Sequence, residues 1–205
     1  MIGALKAIGY GLNDFRLKGY TYIWANVAFV ILGLPLITIP AAIAALFRVS
    51  HHAQTEPTEV GLEMFWEAFK SSLRVDVLLW GVANVLFAVV NFTNLAAYAS
   101  VTDPAVMILR TIWYIAGIIW LGLLLYTWPL YYEMADPSLI GAMRNALVMV
   151  LQNPFFTATI IICAYVLTFL SFIFVAAWAL VTFAVIAAVA TAAVLERLRL
   201  YRSMG

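Results

Sequence analysis

Asp76, Asn84, Asn91 and Asn94 are spaced so that, at about 100° per residue, they fall within an arc of about 80° on one helix. Amide and carboxylate groups aligned in this way can hydrogen-bond a sugar or a headgroup, or can bond a neighbouring helix. Asn26, nine residues before Pro35, is the fifth member of this expected polar groove. Pro35 and Pro40 each remove a backbone donor and crowd the preceding turn, so a kink or unwound segment is expected there, with Pro129 as a further hinge. Freed carbonyls at such breaks line binding sites in transporters, and elsewhere simply shape packing.

A second patterned set is Glu59, Glu63, Glu67, Lys70 and Arg74, spaced by four and three, with Leu62, Phe65, Trp66, Phe69 and Leu73 on the other side. Residues 58–74 therefore read as an amphipathic helix lying on the membrane or against the bundle, and Glu59, Glu63, Trp66, Glu67, Lys70 and Arg74 make it a docking surface for a partner. His51 and His52 are neighbours and point about 100° apart on a helix, so joint metal chelation is excluded and a solvated loop or interface is expected. Cys163, the single cysteine, lies in an apolar run with no His or acid nearby in sequence, which suits an inert packed thiol and forbids an intrachain disulfide. The sequence has no Gly-rich phosphate loop, no HExxH and no GxSxG, so neither a cofactor nor a metal nor catalytic residues are expected.

The elements that must position these residues follow from composition. Of 205 residues, 66% are hydrophobic and 10% charged, with a mean hydropathy of +1.02, whereas soluble domains carry about a quarter charged residues. The apolar runs are continuous rather than alternating, which selects an all-α polytopic membrane bundle over a barrel. About five spans are expected, at 20–47 (kinked), 75–98, 105–132, 154–173 and 176–196, forming a single membrane domain with interfacial helices at 2–17, 58–74 and 138–152. The start is too long for a cleaved signal peptide, so the first apolar run is expected to be retained. The middle of every span lacks ionisable residues, which argues against a proton pump or voltage sensor. A net charge of +1 provides no field for nucleic acid. The expected partners are the lipid bilayer and either another membrane protein or a second copy of the chain.

Five spans place Arg48, Lys70, Arg74, Arg144, Arg197, Arg199 and Arg202 on one side, and Lys6, Arg16, Lys18 and Arg110 on the other. The positive-inside rule then makes the carboxyl terminus cytoplasmic and the amino terminus external. The pattern of proline-bearing span, amphipathic connector and span occurs over 20–98 and again over 105–173, which suggests a duplication. Ala184, Ala188 and Ala192 form a small-residue stripe suited to internal packing or to homodimerisation.

Asn26 to Pro40, with Leu34-Pro35-Leu36-Ile37-Thr38 and Ala41 to Leu46, resembles the YesL-like family of bacterial membrane proteins. Phe65-Trp66-Glu67-Ala68-Phe69-Lys70 looks like its aromatic-basic connector, and Tyr126-Thr127-Trp128-Pro129-Leu130 with Arg144-Asn145-Ala146-Leu147 look like its second half. The resemblance implies the bacterial inner membrane and an accessory role beside carbohydrate uptake systems of the ABC type. The reading that follows is a non-enzymatic accessory or structural subunit. Its alternatives are a small carrier or channel for a neutral solute using Asn26, Asn84, Asn91 and Asn94, and an enzyme on lipid-linked substrates using Asp76, Arg110 or Glu133.

Overall fold

The computed structural model describes residues 2–56 and 61–204, and these are almost entirely helical. In order they are α1 (Ile2–Leu17), α2 (Gly19–Gly33), α3 (Ile39–Thr55), α4 (Leu62–Ser71), α5 (Val75–Ala97), α6 (Pro104–Glu133), α7 (Leu139–Gln152), α8 (Pro154–Ile173), α9 (Val175–Ala177), a π-helical turn (Trp178–Thr182) and α10 (Phe183–Met204). Four described segments are long and apolar enough to cross a membrane: Val75–Ala97, Pro104–Glu133, Pro154–Ile173 and Val175–Ser203. The protein is thus a helical membrane bundle, with α2 and α7 as shorter apolar helices. Helix α4 packs on α3, and α7 packs on α6.

The hub is α10. Residues 187–194 are buried on every side, and six alanines among 184–193 allow other helices to approach closely. Helix α1 runs antiparallel to it, with Gly3 beside Arg197 and Gly11 against Val189. A Cβ at Gly11 would sit 2.6 Å from the Val189 Cα, so only glycine fits. Ala184, Ala188 and Ala192 are consumed by this internal packing, which leaves no stripe for homodimerisation.

The first expected span is where structure and expectation part. Residues 20–47 form no kinked crossing but the two arms of a hairpin. Helix α2 stops at Gly33, the chain turns through Leu36 at φ 49°, and α3 restarts with Pro40 in its first turn. Lys18 at the head of α2 bonds the Ala53 carbonyl near the foot of α3, which shows that the arms are antiparallel. Fifteen residues give α2 a length of about 22 Å, short of the roughly 30 Å hydrocarbon core. The turn meets its own polar needs: Leu36 N donates to Gly33 O at 3.0 Å, Ile39 N donates to Leu36 O at 3.1 Å, and the Thr38 hydroxyl donates to Leu32 O. The other proposed hinge does not open, because α6 runs unbroken through a buried Pro129.

Because the hairpin returns, the expected placement of the amino terminus also changes. Helix α1 lies along the charged end of α10, so Lys6, Arg16 and Lys18 share an end of the bundle with Arg48, Arg74 and Arg202. Arg110 alone stands at the far end, where it donates to the Tyr98 and Ala99 carbonyls; the other ten of the eleven cations belong to the polar end.

Helix starts follow local chemistry. Asp103 caps α6 by accepting from Ala105 N and Val106 N, with Pro104 at the first position, and Ser138 caps α7 by accepting from Gly141 N. Pro40 seats α3 on α5 by pressing its ring onto Gly81, where a Cβ would overlap it. Gly81→Ala is expected to destabilise the fold by about 1–3 kcal/mol, read as a lower melting temperature in detergent. An unchanged value would show that the ring does not rest on this glycine.

Candidate functional site

The polar end is organised around Glu133, the last residue of α6. Its Oε1 lies 2.8 Å from His51 Nε2 on α3, and its Oε2 accepts from Arg202 on α10 at 2.8 Å. One carboxylate thus joins three helices. His51 is only 7% exposed and His52 is also buried, so of the two expected settings the solvated loop is excluded and His51 lies at an interface between α3 and α6. The two histidines serve different acids, Glu133 and Glu56, so they do not converge on one ion. Burial lowers the His51 pKa below 6.5, against the opposing pull of Glu133.

Beside this network, α3, α4 and α6 enclose a cavity of about 400 Å³ lined by Arg48, Glu67, Arg74, Trp128, Tyr131 and Tyr132, among others. The Arg48 guanidinium lies 5.3 Å above the Tyr132 ring. Arg74 donates to Asp76 through Nε at 3.2 Å and Nη2 at 2.9 Å. Of the expected docking residues, Glu67 and Arg74 rim this cavity. Glu63 and Lys70 are exposed on α4, and Trp66 is 48% exposed, stacked on Phe69 with the Lys70 ammonium 5.6 Å from its ring. Glu59 lies outside the described residues.

Deeper along α3 and α6 lies a second cavity of about 560 Å³, almost wholly apolar, between the hairpin tip, α6 and α10. Leu34, Leu36, Ile43, Phe47, Leu125 and Phe183 are among its walls. Trp80 lines it and meets Trp128 of the polar cavity edge-on, with ring centroids 5.5 Å apart.

The five residues of the expected groove do not meet. Asn26, fully buried, donates to the Trp178 and Ala179 carbonyls at 2.9 and 2.8 Å and accepts from Ala184 N at 2.9 Å. It therefore satisfies the backbone of the π-helical turn. Asn84 accepts from the Trp120 indole at 2.8 Å and Asn91 donates to Trp113 O at 2.8 Å, which knits α5 to α6. Asn94 donates to Val90 O of its own helix, and Asp76 is engaged by Arg74. None of the four asparagines lines either cavity. The His51–Glu133 pair escaped sequence reasoning because the two residues are 82 apart, and the only signal was a glutamate ending one apolar helix and a histidine ending another.

Replacing Asn26 by Leu leaves three backbone groups unpaired in a dry site, so a loss of about 2–4 kcal/mol is expected in thermal unfolding. A loss below about 0.5 kcal/mol would contradict the backbone role. The lowered His51 pKa also fixes a sign. The unfolded chain takes up the proton first, so this contribution is intact above pH 6.5 and is lost as pH falls below it. Melting temperatures measured from pH 7.5 down to pH 5.5 should fall, and His51→Gln should flatten that slope.

No match was found among curated proteins or among solved structures. Residues 22–95, which run from α2 through α5 and contain the hairpin, α4 and the Asn26-to-Pro40 and Phe65-to-Trp80 segments, match a family described as "Protein of unknown function, DUF624".

Proposed function

We propose that this protein is a non-enzymatic accessory or structural subunit of a membrane complex, docked through the outer face of α4. The observation that carries this reading is the two-sided character of α4. Phe65 and Phe69 are buried in the bundle, while Leu62 and Trp66 are exposed alongside Glu63 and Lys70. Large aromatic side chains exposed beside charges are the usual anchors of protein interfaces. The enzyme alternative loses its constellation, because Arg110 sits at the opposite end of the bundle from Asp76 and Glu133. The carrier alternative loses its lining, because the asparagines bond helices.

The positive-inside rule applied to ten cations at one end and one at the other makes the polar end, with both termini, cytoplasmic. The resemblance to the YesL-like family points to the bacterial inner membrane and to carbohydrate uptake of the ABC type as the system served.

The test is purification from native membranes in mild detergent, with co-purifying proteins identified by mass spectrometry. Stoichiometric transporter subunits are expected with the wild type, and their recovery should fall several-fold with Trp66→Asp, since one aromatic anchor carries a large part of such an interface. Recovery of the chain alone would contradict the proposal.

A further inference from the structure

We propose that the two adjoining cavities form one site for a membrane phospholipid, with its phosphate at Arg48 and an acyl chain in the apolar cavity below. The polar cavity supplies the first half of the match. Arg48 is half-buried, packs on Tyr132, and has no carboxylate within ion-pair distance among the described residues. A guanidinium removed from bulk water with its forked donors unspent is suited to a phosphate oxygen pair. Trp128 and Tyr131 complete the aromatic wall beside Arg48. Glu67 also faces this cavity, but it is exposed and its field is screened by water.

The apolar cavity supplies the second half. On α6 its walls are Leu124 and Leu125, and the polar cavity begins at Trp128, about 4.5 Å further along the axis. On α3 Phe47 lines the apolar cavity and Arg48 the polar one. Both volumes lie within the range of small-molecule sites, roughly 300–1,000 Å³. An ion such as free phosphate would leave the apolar cavity unfilled, and an uncharged amphiphile would leave Arg48 unpaired. A diacyl phosphate ester satisfies both.

The test adds phosphatidylglycerol, diacylglycerol with the same chains, or inorganic phosphate to delipidated protein, and reads retention by native mass spectrometry. One phosphatidylglycerol per chain is expected, retained at least about tenfold more tightly than either of the others. Arg48→Gln removes the cation and Val30→Trp, at a position on α2 that lines the apolar cavity, fills it; each should weaken retention by about tenfold, and Arg48→Lys should restore part of it. Far-ultraviolet circular dichroism and elution volume check that each variant keeps its fold. Equal retention of diacylglycerol, equally tight inorganic phosphate, or wild-type retention by either Arg48→Gln or Val30→Trp would each overturn the proposal.

Discussion

Everything in this bundle depends on satisfying backbone polar groups where water is absent. The long apolar helices do this internally, but the turn at Trp178–Thr182 widens to π-helical geometry. Asn26 reaches across from α2 to close it, meeting two carbonyls and one amide with a single side chain. Ser171 and Thr182 complete the repair, their hydroxyls 2.6 Å apart, with Thr182 also donating to Ala177 O. The polar group that looks most like part of a solute path is thereby committed to the central helix.

From that tie the rest of the architecture follows. Fixing α2 against the top of α10 leaves the proline break nowhere to go but back, so α3 returns along α2 and brings Arg48, His51 and His52 to the end where α6 and α10 finish. Glu133 then locks α3, α6 and α10 together with one histidine and one arginine. Pro40 wedged on Gly81 holds α5 beside the hairpin, and α4 is left as a short lid whose inner phenylalanines pack and whose outer tryptophan does not. The two cavities are the spaces such a hairpin cannot fill, one among cations and aromatics, the other among aliphatic side chains.

Much of this was legible because the bilayer restricts what apolar sequence can become. The runs that became α5, α6 and α8, and the amphipathic patterns of α4 and α7, announce themselves by length and period, since a helix with no water to turn to must bond itself. The break between Pro35 and Pro40 was equally plain. Its consequence was not, because a kink and a reversal use the same prolines, and the choice between them is made by Leu36 adopting φ 49° and by Asn26 binding a turn over 150 residues away. The pairing of His51 is hidden for the same reason: its carboxylate partner comes from α6, and no local pattern signals it. Counting residues 20–47 as a crossing puts Lys6, Arg16 and Lys18 opposite the other cations, whereas the hairpin brings Lys18 to the foot of α3.

The hairpin is therefore the claim on which the topology rests. It is tested most directly by single cysteines in a Cys163→Ala background, at Asn13, Ser100, Asp136 and Ser203, labelled in oriented membrane vesicles with an impermeant maleimide. The account predicts that positions 13, 136 and 203 react from one side and position 100 from the other. Labelling of 13 and 203 from opposite sides would mean that residues 20–47 cross the membrane, and would contradict it.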